Sequence, residues 1–197
     1  MNKPFSQACE NNKVAILSLL KKHFRTATTV LEIGSGTGQH AVYFASHLNH
    51  LTWQPSDLDA NLTGIKLWIN EAKLANLNLP IKLDVAENDW PDIHVDAIYS
   101  ANTAHIMPWP TVKSMFRGIG KKLSPGGVFC LYGPFNYHDT YTSESNKLFD
   151  QHLKALAPEM GIRDYEAIET LAHQSGMQLL EDIAMPANNR TLVWEKN

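Results

Sequence analysis

Apolar residues recur along this chain at two alternating spacings, and the alternation itself predicts an architecture. Val14, Ile16, Leu17, Leu19 and Leu20 predict an amphipathic helix over Val14 to Phe24. The apolar run Thr29 to Ile33 is strand-sized, and Gln39 to Leu48 returns to helical spacing through Ala41, Val42, Phe44, Ala45 and Leu48. Further strands are expected at Leu51 to Pro55, Ile81 to Val85, Val95 to Ala101 and Val128 to Tyr132. Helices are expected from about Asn61 to Ala75 and from about Pro110 to Leu123, with Ser124-Pro125-Gly126-Gly127 as a sharp break before the fifth strand. Such alternation predicts right-handed βαβ units in a parallel sheet with helices on both faces. At the end Asp164 caps a helix that Gly176 closes, and the stretches Gln178 to Met185 and Thr191 to Glu195 flank Pro186-Ala187-Asn188-Asn189. Two strands joined by so short a turn must be antiparallel neighbours.

The first strand ends at Gly34, Gly36 and Gly38, spaced two apart, and a helix follows at once. A strand that stops at glycines and turns into a helix lets a ligand touch bare backbone, and the helix N-terminus offers unpaired N–H groups. The dinucleotide fingerprint G-x-G-x-x-G would need its last glycine at position 39, where Gln39 stands. Glu32, two residues before the first glycine, suits a ligand with a positive charge near the turn, such as an α-amino group, and would repel a pyrophosphate.

Composition narrows the class. At 197 residues, 44% apolar and with a net charge of −3, the chain has the size and balance of one soluble α/β domain. Its longest apolar runs are strand-sized, so no membrane span is expected, and Met1 to Glu10 shows no apolar leader. A cytoplasmic location is the expectation. Basic residues are thinly spread, with doublets only at Lys21-Lys22 and Lys121-Lys122, so a nucleic-acid partner is not expected. Cys9 and Cys130 lack metal-binding spacing, and His138-Asp139 with His105 lacks it too, so no metal site is expected. Oligomeric state is not readable from the sequence.

The run Glu32-Ile33-Gly34-Ser35-Gly36-Thr37-Gly38 resembles motif I, E/D-x-G-x-G-x-G, of the class I S-adenosylmethionine-dependent methyltransferases. The resemblance implies their Rossmann-like α/β fold, a mostly parallel sheet ending in a C-terminal antiparallel hairpin, with S-adenosylmethionine as cofactor. Ligands of such sheets lie over the carboxyl ends of the strands, where strand order reverses. Asp57, nineteen residues after Gly38, can accept both ribose hydroxyls, with Asp59 as the competing choice, and Leu58 is expected against the adenine. By the same resemblance Asp84 accepts from the adenine amino group, and the backbone N–H of Val85 donates to the ring. Glu32, Gly34, Ser35, Gly36, Gly38 and Asn102 complete the expected cofactor set.

Asn102 to Trp109 follows the fourth strand and should border the reactive methyl. It lacks the Asn/Asp-Pro-Pro-Tyr/Phe motif of methyltransferases acting on adenine, cytosine or glutamine amides. His105 can take a proton from a hydroxyl or thiol, or can simply brace the loop. Trp109, Phe135 and Tyr137 are candidates for the acceptor wall, with the loop Pro134 to Ser143 as a lid or substrate edge and Phe5 to Lys13 as a further wall.

The resemblance extends to the methyltransferase-like 26 family. It rests on the start Pro4 to Lys13, on Thr37-Gly38-Gln39-His40-Ala41 and on Trp53-Gln54-Pro55-Ser56-Asp57. The stretches His105-Ile106-Met107-Pro108-Trp109 and Met185-Pro186-Ala187-Asn188-Asn189 add to it. It implies one domain over 1–197, with residues 1–28 as a helical extension that folds over the cofactor. The function expected is methyl transfer to a small-molecule acceptor. A non-catalytic cofactor-binding regulator is the rival reading, and a nicotinamide oxidoreductase is disfavoured by Gln39 and Glu32.

Overall fold

A computed structural model describes residues 3–197; Met1 and Asn2, part of the expected N-terminal extension, lie outside the described residues. In chain order the elements are α1 (Gln7–His23), β1 (Thr29–Ile33), α2 (Gln39–His47), β2 (Thr52–Asp57), α3 (Asp59–Ala72), β3 (Ile81–Lys82), β4 (Val95–Ala101), α4 (Trp109–Lys122) and β5 (Leu123–Gly133). There follow β6 (Phe135–Asn136), α5 (Glu144–Leu156), β7 (Arg163–Asp164), α6 (Tyr165–Gln174), β8 (Met177–Met185), a 3-10 turn Pro186–Asn188 and β9 (Asn189–Lys196).

Seven strands form one sheet in the order β3-β2-β1-β4-β5-β9-β8. The first five are parallel, and β9 runs antiparallel to both β5 and β8. The chain winds outward from β1 to β3 and then returns to the other side of β1. Strand order therefore reverses between β1 and β4, and a crevice opens at their carboxyl ends. Alternate residues of the buried strands feed two cores. Leu31, Ile33, Ile98 and Phe129 join Phe116 of α4 and Ile168 of α6 on one face. Val30, Trp53 and Tyr99 join Ile16 of α1, Phe44 of α2 and Ile65 of α3 on the other. Among the described residues, no helix is long and apolar enough to cross a membrane.

Four elements differ from expectation, each for a local reason. Helix α1 begins seven residues before Val14, because Ser6 caps it through the Cys9 N–H and its first turns are polar. Strand β3 keeps only two residues, since Asp84 accepts from the Ala86 N–H and turns the chain away from the sheet edge. The Ser124–Gly127 stretch does not interrupt β5. It bulges out with Gly126 at φ +75°, while Leu123 still pairs with Val95. Helix α5 was not expected, although Phe149, Leu153 and Leu156 stand at helical spacing; its apolar side is mostly open, with Leu148, Phe149 and Leu156 exposed and Asn146, Asp150 and Leu153 buried. Ser143 caps it, its hydroxyl accepting from the Asn146 N–H at 3.1 Å.

Candidate functional site

A cleft of about 690 Å³ opens at the carboxyl ends of β1, β4 and β5. Its floor is Gly34, Ser35, Gly36 and Thr37; Asn102 and His105 stand on one side, and the start of α1 stands on the other. Every side chain lining it is of an uncharged type, apart from two histidines. Burial lowers the pKa of both His40 and His105 to about 4, so they too are neutral at pH 7.

The three glycines of the turn have separate duties, all at positive φ. A Cβ on Gly34 would lie 2.5 Å from Thr103 Cγ2, and one on Gly38 would lie 3.1 Å from Ile65 Cα. Those two permit close packing of β1 on the β4 loop and of α2 on α3. Only Gly36 would point a Cβ into open space, so Gly36 is the glycine that leaves room for a ligand.

The amides of this turn correct the expectation of unpaired N–H groups. Gly34 N and Ser35 N both donate to Ser56 O at 3.0 Å, and Gly38 N donates to Ser35 O at 2.9 Å. Gly36 N donates to Asp57 Oδ2 at 2.7 Å. With these four N–H groups paired inside the protein, the turn offers a ligand shape and carbon surface. A phosphate needs donors aimed outward, as at an anion-binding nest.

Asp57 ends β2, and its other oxygen accepts from Leu58 N at 2.7 Å and Asn61 Nδ2 at 2.8 Å. A carboxylate has about four lone-pair sites, so roughly one remains. That leaves room for one incoming hydroxyl in the present arrangement, where the sequence suggested two. Leu58 beside it is 50% exposed, an apolar face left open. Asp84 is half-buried and bonded to its own turn, and Val85 is buried. Asp57, Leu58, Asp84 and Val85 lie at or just beyond the ends of β2 and β3, outside the walls of the cleft.

Glu32 does not line the cleft. Its side chain points to the α1–α2 face, 2% exposed, and accepts from Trp53 Nε1 at 3.0 Å. Burial raises its pKa to about 7, and the Asp57 charge adds to that. Any action on a cationic ligand is through the floor of the turn.

His105 is 6% exposed and lines the cleft, and among the described residues its imidazole has no hydrogen-bond partner. Phe149 meets it edge-on at 5.3 Å. Asn102 sits beside it at φ +58°, its N–H held by Tyr132 O at 2.8 Å.

The three expected acceptor-wall residues lie elsewhere. Phe135 is 1% exposed in the core, pulled inward by the pairing of β6 with β7. Tyr137 stacks on Tyr165 and donates to Asp182 Oδ2 at 2.7 Å. Trp109 packs against the core, with Arg163 over its ring. Of the loop Pro134 to Ser143, only Pro134 reaches the cleft. The wall is built instead by Tyr132, Asn146, Phe149 and the turn Pro186–Asn189. That turn is tied to α5 by Asn146 Nδ2 donating to Asn188 O at 3.0 Å.

The N-terminal stretch does form a wall, through Ser6, Cys9, Asn11 and Asn12. Gln39, the residue that breaks the dinucleotide fingerprint, fastens it. Gln39 Oε1 accepts from Ser6 N, and Nε2 donates to Glu10 Oε1 at 2.7 Å. His40 Nε2 lies 2.7 Å from Asn12 Oδ1, and His40 Nδ1 lies 3.3 Å from the Tyr99 hydroxyl. The sequence alone gave no role to His40, Tyr99 or Gln39 in this fastening.

Comparison with known proteins places this geometry. A fatty-acid O-methyltransferase of Mycolicibacterium smegmatis is 27% identical over 132 residues, covering 66% of this chain and 46% of that protein. An O-methyltransferase family protein from Burkholderia thailandensis superposes with a TM-score of 0.83 at 13% identity, over 94% of this chain and 56% of that one. Human N-acetylserotonin methyltransferase, solved with S-adenosylmethionine, gives 0.81 at 14% identity over 97% of this chain and 53% of that one. This chain thus spans about half the length of the proteins it matches, and the likeness gives it the class I methyltransferase fold. Residues 3–196 match DUF938, described as a protein of unknown function, and the chain belongs to that family.

Proposed function

We propose that this chain binds S-adenosylmethionine across the ends of β1, β2 and β4 and transfers its methyl group to the hydroxyl of a small-molecule acceptor. The observation that carries the reading is the turn at Gly34–Gly38, four of whose five amides are paired internally while Gly36 leaves open space beside Asp57. A ligand with a ribose hydroxyl and a cationic centre fits that chemistry, and a pyrophosphate does not. The exposed face of Leu58 suits an adenine, and the Asp84–Val85 turn lies where the ring edge would end. The motif I resemblance of Glu32–Gly38 and the S-adenosylmethionine bound by the human neighbour support the same reading.

When bound, S-adenosylmethionine supplies a methyl on a positively charged sulfur, which keeps the bonding electron pair and leaves as S-adenosylhomocysteine. The protein then has to place the acceptor oxygen in line and receive one proton. Placement of this kind contributes up to about 7–11 kcal/mol in well-oriented cases. The cleft beyond Asn102 provides the seat, walled by Phe149, Pro134 and the Pro186–Asn189 turn. His105, neutral and without a hydrogen-bond partner among the described residues, accepts the proton and passes it to solvent. The name of the M. smegmatis relative points to a carboxylate acceptor. A carboxylate would need no base and would favour a cationic wall, whereas this wall is neutral; a hydroxyl fits better.

Asp57→Ala is expected to weaken S-adenosylmethionine binding by about 1.5–3 kcal/mol, ten- to over a hundredfold, as one charge-assisted bond and the brace on Gly36 are lost. Calorimetric titration checks this, and wild-type affinity in the variant would remove Asp57 from the site. The reaction itself is tested by incubating the protein with methyl-labelled cofactor and a metabolite extract. The expected result is one small molecule carrying the label, with matching release of S-adenosylhomocysteine. Cofactor binding without any transfer would favour the regulatory reading.

A further inference from the structure

The loop that carries His105 is held from beneath by a residue outside the cleft. Arg163, in β7, donates from Nε to Ala104 O at 3.0 Å and from Nη2 to Met107 O. Its Nη2 also donates to Glu159 O at 2.9 Å, and Gly161 N donates to His105 O at 2.9 Å. Three carbonyls of the loop, on both sides of the imidazole and at the histidine itself, are thus fixed by one five-residue segment. That segment is anchored in turn by Asp150, whose Oδ1 accepts from Ile162 N at 2.7 Å. Asp150 follows Phe149, the residue whose ring meets the imidazole edge-on. The Tyr141 hydroxyl and Lys154 Nζ fill the other oxygen of Asp150 at 2.7 and 2.6 Å.

A lone side chain satisfying loop carbonyls is ordinary, but this arrangement has a direction. The guanidinium is a rigid fork, so it sets the spacing of the carbonyls it binds as well as satisfying them. Among the described residues the His105 ring has no hydrogen-bond partner to fix it, so its aim depends on where its backbone is held. We propose that Arg163 is the positioning residue of the cleft histidine, its fork on Ala104 and Met107 holding the imidazole toward the acceptor seat. This rests on the methyl-transfer reading for its purpose, though not for its geometry.

The charge acts in the same sense. Burial first, and the Arg163 cation second, keep the His105 imidazole neutral. The other titratable groups around it are Tyr132, from β5, and His40 and Cys9, across the cleft. Asp150 stands behind Arg163 and holds its charge in place. A neutral imidazole can take a proton, so fork and charge serve one end.

The test is a pH titration of the histidine ring signals by NMR, with His105 identified through His105→Gln and His40 as an internal reference across the cleft. In the wild-type protein the His105 signal is expected to stay at its neutral position from pH 8 down to pH 5. Arg163→Gln removes both fork and charge, and the His105 midpoint should rise while His40 stays unchanged. Arg163→Lys keeps the charge and loses the fork. Its His105 midpoint should stay near wild type while the signal broadens or splits, and methyl transfer should fall at least tenfold with unchanged cofactor affinity. Should Arg163→Gln fail to fold, the Lys variant decides alone. A His105 signal identical in position and width to wild type in the folded variant, or one that changes only together with His40, overturns the proposal. If the wild-type protein transfers no methyl group at all, the functional reading fails while the ring titration still decides whether Arg163 positions the histidine.

Discussion

His105→Gln is expected to lower the rate of methyl transfer by about 10²–10⁴-fold, the usual range for loss of a general base, while cofactor affinity stays within about twofold. The imidazole lines the cleft, and Asp57, which holds the cofactor on the proposed reading, lies beyond its wall. A pKa of about 4 makes His105 a weak base, yet a weak base is enough for this step. As the new carbon–oxygen bond forms, the acceptor hydroxyl becomes an oxonium, which is a strong acid. What matters is that the imidazole is neutral when the proton arrives. Because its pKa is lowered from the usual 6.5, the neutral form dominates at all pH values above about 5. Activity should therefore be flat from pH 8 to about 5.5 and fall as pH drops through about 4, provided the fold survives there. An acid limb near pH 6.5, or a Gln variant with wild-type turnover, would take His105 out of the proton path.

The second large effect is on stability. Glu32 is buried against Trp53, and its pKa is raised from 4.5 to about 7, chiefly by burial. The folded protein then holds this proton more tightly than the unfolded chain. Between about pH 4.5 and 7 the native state binds more protons, so unfolding free energy falls as pH rises through that window and levels off above it. The shift corresponds to roughly 2–4 kcal/mol. Glu32→Gln keeps the shape and an acceptor for the Trp53 indole, but has no charge to bury. Its advantage over wild type should be absent at pH 4.5 and reach roughly 2–4 kcal/mol at pH 8, on the order of 5–15 °C in Tm for a chain of this size. Thermal melts of both proteins across pH 4.5–8 measure it, and parallel curves would show that Glu32 titrates normally. On the proposed reading the same carboxylate is useful, since a cationic ligand above the turn favours its ionised form.

What could be read from the chain follows how local each signal is. The Gly34-x-Gly36-x-Gly38 spacing, the strand before it and the helix after it are contiguous, so the turn, the place of Asp57 at the end of β2 and the parallel sheet were legible. The closing antiparallel pair was legible too, because Pro186–Asn189 is too short for a crossover. The acceptor wall was not. Phe135 and Tyr137 look like cleft aromatics in sequence, and only the β6–β7 pairing and the Asp182 carboxylate turn them inward. Phe149 and Asn146 were missed because nothing in the spacing of α5 tells that its exposed apolar side borders a cleft built by distant strands. Glu32 was read as ligand-facing because the motif names the residue and not the face of the strand it occupies. Gln39 was read for the glycine it replaces, yet its amide ties down the N-terminal wall.

The most direct test of the account is isothermal titration of the protein with S-adenosylmethionine, S-adenosylhomocysteine and NAD in parallel. Saturable one-to-one binding of the first two, with no heat from NAD, is the predicted result. Binding of NAD, or of another phosphate-bearing ligand, without any response to S-adenosylmethionine would contradict it.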